Sequence, residues 1–164
     1  GKKIFGELVA KADVVIDTTS LNVHDLRRKI EAAFPSGDVA EVHATVMSFG
    51  FKYGIPVDAD VVADARFLPN PHWDERLRPH TGMDDDVSSF VLGQEGAEEF
   101  LETLTRLLVL TRDGYVQEGK RYVTVAIGCT GGKHRSVALS EALGSRLQAA
   151  GIPTIAFHRD LGRE

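Results

Sequence analysis

The sequence predicts an α/β fold: a single domain with a mainly parallel or mixed sheet and helices on both faces. Short apolar, β-branched runs alternate along the chain with longer stretches of helical periodicity. A glycine-rich loop comes directly after the strongest of the predicted strands. The 164 residues, 43% apolar and 26% charged, suit one globular domain with a core, so we assign residues 1–164 to one domain.

The first strands and the first helix follow from hydrophobic patterning. Residues 13–18 are apolar and β-branched, which predicts a buried strand. The helical spacing of apolar residues over 23–33 predicts a helix, which Pro35 ends. Alternating apolar residues predict a second strand within residues 39–51, and residues 61–68 predict a third.

The middle of the chain is predicted to be irregular before a long helix begins. Prolines in residues 69–73 and 77–82 exclude a regular helix or a central strand there. Residues 83–96 are acidic, which predicts a loop or a short helix. A stripe of leucines at helical spacing then predicts a helix that begins near Ala97.

The last part of the chain predicts a strand, a loop, a helix and a strand in turn. Residues 122–127 are the most strand-like run, and residues 154–157 predict the last strand. Between them, helical periodicity over residues 133–150 predicts a helix that Gly151 ends. The loop before this helix therefore lies at the carboxyl end of a strand, where ligands gather in α/β sheets.

This loop, residues 128–136, has the composition of an anion site. Glycines let backbone N–H groups converge on one point, the helix N-terminus adds partial positive charge, and Lys133 and Arg135 add full charges. The candidate ligand-binding residues of the loop are Cys129, Thr130, Gly131, Gly132, Lys133, His134, Arg135 and Ser136. The alternative is a glycine-rich turn with basic residues at the surface.

Two enzyme motifs overlap the loop. Cys129, Arg135 and Ser136 fit the C-x5-R-S pattern of cysteine-dependent phosphatases, in which a thiolate is the nucleophile. A phosphatase also needs an acid near the leaving group, and the sequence offers Asp64, Asp84 and Asp85 without choosing between them. The G-x4-G-K-[ST] pattern of P-loop NTPases is a weaker fit, because His134 stands where Ser or Thr would bind magnesium.

Five residues outside the loop are further candidates for the ligand site. Asp64 and Arg66 end a strand, so they either point into one pocket or form a structural ion pair. His72 lies in a proline-rich loop, where a fixed backbone often carries a binding group, unless the tryptophan beside it fills the core. Ser48 and Lys52 flank a turn from which the lysine would reach an anion.

Composition narrows the classes of function. A net charge of −5 gives no general attraction to nucleic acid or to anionic lipid. A single cysteine excludes an internal disulfide, and a reducing cytoplasm is the expected location. The six histidines lack metal-ligand spacing, so we expect no metal. No apolar run approaches the about 20 residues that a membrane span needs, and no signal peptide is visible.

Several long motifs resemble one protein family. Residues 48–54, 64–73, 78–82 and 128–137 resemble the C-terminal domain of the RapZ/YvcJ family, and residues 13–26 resemble the segment that enters that domain. The likeness covers nearly the whole chain. It implies a bacterial, cytoplasmic protein of two domains, of which this chain is the C-terminal half.

The resemblance implies that nucleotide chemistry and ligand sensing are divided between the two domains. The family's N-terminal P-loop domain binds and hydrolyses ATP or GTP, and its Walker sequence is absent here. We therefore expect neither enzyme activity nor a cofactor in this domain. In the best-known branch, the C-terminal domain senses glucosamine-6-phosphate and binds a small regulatory RNA, which it presents to an endoribonuclease. That role links amino-sugar supply to cell-envelope synthesis.

The resemblance also implies where the ligand binds and which partners to expect. The family's pocket maps onto the loop at Cys129, with the five outlying candidates around it, and Cys129 itself forms part of the wall. Family members are homo-oligomers, and this domain contributes to their self-association. The RNA-binding branch ends in a basic tail, whereas this chain ends at Leu161-Gly162-Arg163-Glu164, which together with the net charge of −5 argues against RNA as a partner.

Overall fold

The computed structural model describes residues 41–163 and, before them, Arg28. The chain divides into two compact units, residues 1–40 and residues 41–164, and the whole described sheet belongs to the second. The strand predicted at residues 13–18 lies outside the described residues. So does the helix predicted after it, apart from the helical Arg28.

Four parallel strands form the sheet. They are β1 (His43–Gly50), β2 (Val61–Asp64), β3 (Tyr122–Cys129) and β4 (Thr154–His158), in the spatial order β2-β3-β1-β4. The two central strands, β1 and β3, are eight residues long and mostly buried, which explains their nearly continuous apolar sequence. The predicted α/β fold with a parallel sheet is therefore confirmed.

Three α-helices accompany the sheet: α1 (Asp85–Leu92), α2 (Ala97–Gln117) and α3 (Arg135–Ala149). α2 begins after Gly96, whose φ of +87° is a conformation that glycine adopts without strain. Its inner stripe includes the buried Leu101, as the leucine spacing predicts. None of the described helices is both long and apolar enough to cross a membrane.

One hydrophobic core joins these helices to one face of the sheet. Val46 of β1 and Val125 of β3 are register partners and belong to this core. Leu143 of α3, Val91 of α1 and Leu104 of α2 complete it from the helical side. All three α-helices of residues 41–163 contribute to this one cluster. The core holds α3, and with it the preceding loop, against the end of β3.

β2 ends earlier than the sequence predicts because a turn follows it. The Asp64 carboxylate accepts a hydrogen bond from the backbone N–H of Arg66 (2.8 Å), which turns the chain away from the sheet. The acidic run at residues 83–96 contains the short helix α1. The first prolyl stretch forms a 3-10 turn at Pro71–Trp73, and the remaining strands and helices differ from prediction only in their end residues.

We expect Gly82→Ala to destabilise the domain, because Gly82 lies directly against the first turn of α3. Its N–H donates to the carbonyl of Lys133 (2.9 Å), and an added methyl group would overlap the carbonyl oxygen of His134 and the amide nitrogen of Ala138. Relieving this overlap requires a backbone shift, which should lower the free energy of unfolding by about 1–3 kcal/mol. Urea unfolding measures the loss.

Gly114→Ala is the matched control. Gly114 lies in α2, is exposed, and has no heavy atom within 4 Å of an added β-carbon. Alanine there should raise the free energy of unfolding by about 0.5–1 kcal/mol, since glycine weakens the interior of a helix. Equal effects of the two substitutions would contradict the contact inferred at Gly82.

Candidate functional site

A cleft of about 350 Å³ opens at the carboxyl ends of β1 and β3. Gly50 and Cys129 are register partners there, so the segments that follow the two strands leave the sheet side by side. The residues that line the cleft are Lys52, Asn70, His72, Trp73, Cys129, Thr130, Gly131, Lys133, His134 and Arg135. All but Asn70 and Trp73 were predicted from the sequence.

Glycines bring the loop into backbone contact with the end of β1. A β-carbon on Gly50 would lie 2.6 Å from the carbonyl carbon of Gly131, and one on Gly132 would lie 2.7 Å from the amide nitrogen of Gly50. Gly132 also has a φ of +75°, which other residues rarely adopt. Gly132 is therefore buried behind the cleft, where it shapes the loop instead of lining the site.

A buried carboxylate holds this contact in place. Asp160 Oδ2 accepts hydrogen bonds from the backbone N–H of Gly50 (2.8 Å) and from Arg159 Nη2 (2.8 Å), and Oδ1 accepts one from Arg163 Nη1 (2.9 Å). Burial alone would raise the pKa of the Asp160 carboxyl, but these hydrogen bonds outweigh it and keep the pKa below its ordinary value. Sequence reasoning missed Asp160, because its partner Gly50 is 110 residues away and no local pattern connects them.

Arg135, the first residue of α3, is only 4% exposed. Its Nη1 donates to the carbonyls of Leu68 (2.8 Å) and Arg66 (3.2 Å), and its Nη2 donates to the hydroxyl of Thr130 (3.3 Å). Its Nε is buried and has no hydrogen-bond partner among the described residues. An anion in the cleft would complete the hydrogen bonding of this guanidinium.

The electrostatics of Arg135 favour a negative neighbour. Burial lowers the pKa of the Arg135 guanidinium, while the neighbouring Cys129 and Asp64 side chains oppose that shift. Burial raises the free energy of the charged Arg135 guanidinium. An anion beside the guanidinium therefore offsets part of that cost. The N-terminus of α3 adds unpaired N–H donors and partial positive charge at the same place.

Cys129 forms part of the cleft wall and is itself buried. Its Sγ is hydrogen-bonded to the hydroxyl of Ser136 at 3.1 Å. Ser136 is fully buried and does not line the cleft, so it acts on the site through Cys129. The C-x5-R-S spacing thus brings a thiol, a hydroxyl and a guanidinium to one end of one helix.

Lys52 joins the site from the segment after β1. Its backbone N–H donates to the carbonyl of Thr130 (3.2 Å), and its ammonium lies 4.9 Å from the centroid of the Tyr53 ring. A β-carbon on Gly131 would lie 3.8 Å from Lys52 Nζ, so the ammonium is next to the loop. The sequence named this lysine only as a residue within reach of an anion, and the structure brings it to the cleft.

His72 and Trp73 line the opposite side of the cleft, in the Pro71–Trp73 turn. Trp73 is 78% exposed, so the alternative in which it fills the core is wrong. Asn70, which the sequence analysis also missed, accepts a hydrogen bond from the backbone N–H of His72 (3.1 Å). The proline-rich run that singled out His72 was the signal from which both missed residues could have been found.

Five of the predicted site residues lie outside the cleft lining: Gly132 and Ser136 of the loop, described above, and Asp64, Arg66 and Ser48. Asp64 and Arg66 form an exposed ion pair (2.8 Å), and hydrogen bonds from Arg66 keep the pKa of the Asp64 carboxyl low. Ser48 is fully buried, with its hydroxyl hydrogen-bonded to Nδ1 of His158 (2.7 Å). Arg66 contacts the site through its carbonyl, which accepts a hydrogen bond from Arg135, and the Asp64 carboxylate acts on Arg135 electrostatically.

The site can bind a small anion through cations and backbone donors. Lys52, Lys133 and Arg135 contribute positive charge, and none of the described residues that line the cleft is Asp or Glu. His134 also lines it, with Nε2 donating to the carbonyl of Arg78 (3.2 Å). In the described part of the chain, no group of three His, Cys, Asp or Glu side chains is placed to hold a metal ion.

Comparison with known proteins relates the whole chain to one family. The sequence profile of the RapZ C-terminal domain matches residues 42–162. A nucleotide-binding protein of Streptomyces coelicolor is 61% identical over 99% of this chain and 54% of its own length. One of Frankia alni is 60% identical over 99% of this chain and 56% of its own length, and one of a Mycobacterium species is 64% identical over 94% and 51%. The chain spans about half the length of the curated relatives it matches.

We expect Asp160→Asn to lower the free energy of unfolding by about 1–3 kcal/mol at neutral pH, because the buried charged hydrogen bonds are lost. The pKa of Asp160 is lower in the folded than in the unfolded protein, so its contribution is complete above the unfolded pKa of about 4 and is lost as the pH falls through the folded pKa. The wild type should therefore lose stability more steeply than the variant on acidification.

Asp74→Asn is the matched control for acid unfolding. Asp74 is also held by an arginine, Arg76, whose hydrogen bond lowers the pKa of the Asp74 carboxyl to about 2. This pair lies at the surface, where ion pairs contribute little to stability. Urea unfolding at several pH values should therefore separate the two variants, and parallel curves would contradict the role of Asp160.

Proposed function

This chain belongs to the RapZ C-terminal domain family, and we propose that it is the ligand-sensing regulatory domain of a longer protein. In this proposal it binds a phosphorylated amino sugar, of which glucosamine-6-phosphate is the first candidate. The observation that carries the proposal is the buried Arg135, which lines a cleft together with two lysines and whose Nε has no hydrogen-bond partner among the described residues. The domain binds this ligand without converting it.

The chemistry of the loop supports a phosphate group as the bound end. A phosphate offers several acceptor oxygens at once, and the side-on edge of a guanidinium, the helix N-terminus and two ammonium groups are matched donors. The cleft volume of about 350 Å³ falls within the range of about 300–1,000 Å³ for small-molecule sites, so it has room for more than inorganic phosphate.

The relatives' names concern nucleotides, and we propose that nucleotide binding belongs to the half of those proteins that this chain does not match. The loop carries His134 where a P-loop requires Ser or Thr for magnesium, so it is poorly suited to a magnesium nucleotide. Self-association as a homo-oligomer stays a prediction from the family resemblance. A small RNA stays a less favoured one, given the net charge of −5.

Calorimetric titration with glucosamine-6-phosphate and with glucosamine tests this function. The phosphorylated sugar should bind, and glucosamine should not, because the loop recognises the phosphate. Arg135→Ala should weaken binding of the phosphorylated sugar by about 1.5–3 kcal/mol through loss of charged hydrogen bonds. Equal and negligible heats for both ligands with the wild type would reject the proposal.

Arg146→Ala is the matched control, because Arg146 lies in the last turn of the same helix and pairs with Glu98 far from the loop. It should bind the phosphorylated sugar as the wild type does. Thermal unfolding of both variants shows whether each is folded. If Arg135→Ala proves unstable, Arg135→Lys keeps the charge, loses the guanidinium fork, and should still bind more weakly.

A second candidate function is that of a cysteine-dependent phosphatase, which the hydrogen bond between Cys129 and Ser136 favours. The Cys129 thiolate would attack the phosphorus of a phosphate monoester, so that an S–P bond forms and the ester P–O bond breaks. The leaving oxygen takes a proton, and water then cleaves the S–P bond to release phosphate. Arg135 would stabilise the charge on the phosphoryl oxygens.

Hydrolysis of p-nitrophenyl phosphate separates this candidate from pure binding, since this leaving group needs little help from an acid. Cys129→Ser should abolish release of p-nitrophenolate and leave the fold intact. Ser136→Ala should slow the release, because the thiolate loses a hydrogen bond. Turnover that survives Cys129→Ser, or no turnover by the wild type, would remove this candidate and leave the sensing function unaffected.

A further inference from the structure

The Asn70–Trp73 side of the cleft is held rigidly by its own hydrogen bonds. Asn70 Oδ1 accepts from the N–H of His72 (3.1 Å), and the N–H of Trp73 donates to the carbonyl of Asn70 (3.2 Å). Pro71 is buried beneath the turn, and Arg78 Nε donates to the carbonyl of His72 (2.7 Å). The backbone of this turn is therefore preorganised, although both ring side chains are exposed.

The turn is also tied to the anion loop. The carbonyl of Arg78 accepts a hydrogen bond from His134 Nε2 (3.2 Å), so one residue bonds to both sides of the cleft. The imidazole of His72 meets the Trp73 ring edge to face, with 5.6 Å between the ring centroids. The indole of Trp73 is thus part of the cleft lining, on a turn that is hydrogen-bonded to the loop.

The charges of the side chains that line the cleft limit how the site could bind the amino group of a sugar. Among the described residues, the side chains that line the cleft include two lysines and an arginine but no Asp or Glu, so none of them offers a carboxylate for an ion pair with an ammonium group. Asn70 Oδ1 already accepts one hydrogen bond. Among the described residues of the lining, Trp73 presents an exposed indole, and tryptophan is the best of the aromatic rings for attracting a cation to its π face.

We propose, on the basis of the function proposed above, that Trp73 is the specificity-determining residue of the site. The phosphate binds to the loop at Arg135, and the sugar ring lies against the indole. The ammonium group of the amino sugar is held by a cation–π interaction and not by an ion pair. Recognition of the phosphate and recognition of the sugar are thus separated between the two sides of the cleft.

Calorimetry with three ligands tests this assignment in the wild type, Trp73→Ala and Trp73→Phe. The ligands are glucosamine-6-phosphate, glucose-6-phosphate and inorganic phosphate. Trp73→Ala should lower the affinity for glucosamine-6-phosphate by about 10-fold or more. It should also remove the preference for that ligand over glucose-6-phosphate. Its affinity for inorganic phosphate should equal that of the wild type. Trp73→Phe should keep part of the preference, since phenylalanine retains a π face.

The outcomes separate this inference from the function on which it rests. If the wild type prefers glucosamine-6-phosphate and Trp73→Ala keeps that preference, the role of Trp73 is wrong and the sensing function stands. The same holds if the wild type binds both sugar phosphates equally, or if Trp73→Ala weakens all three ligands alike. If the wild type binds neither sugar phosphate, the proposed function fails and the assignment of Trp73 fails with it.

Discussion

The site depends on a close backbone approach between the end of β1 and the loop after β3. Only residues without a side chain fit at this contact, because a β-carbon on Gly50 or on Gly132 would overlap the other segment. The buried Asp160 carboxylate accepts a hydrogen bond from the backbone N–H of Gly50 and so holds the end of β1 in place. These contacts hold the loop against the sheet, with Cys129, Thr130, Gly131, Lys133, His134 and Arg135 in the cleft lining.

The main electrostatic consequence of this arrangement is that the Arg135 guanidinium is buried while its Nε has no hydrogen-bond partner among the described residues. Arg135 donates hydrogen bonds to the carbonyls of Leu68 and Arg66 and to the hydroxyl of Thr130, and these bonds fix the plane of the guanidinium. Burial disfavours its charge, and an anion in the cleft restores what is lost. An anion would bind more tightly at such a site, because its charge offsets the free energy that burial of the charged Arg135 costs the unliganded protein. That property suits the binding of a metabolite, whether or not Cys129 also reacts with it.

Much of the fold was predictable because its signals are local. The buried strands and the leucine stripe of α2 repeat at intervals that sequence periodicity reports directly. The contiguous loop with its cations was predictable for the same reason. The early end of β2 was missed, because a single hydrogen bond from the backbone N–H of Arg66 to the Asp64 carboxylate overrides the apolar pattern that continues after it.

The sequence by itself determined the parallel α/β architecture and the chemistry of the loop from Cys129 to Ser136, since both reside in runs of neighbouring residues. Only the tertiary structure decided which distant residues meet that loop. It brought Lys52 and Trp73 to the cleft, buried Ser48, and introduced Asp160. The physical reason is that strand register and backbone contact at glycines bring together residues separated by 50 or more positions, and no periodicity along the chain records those pairings.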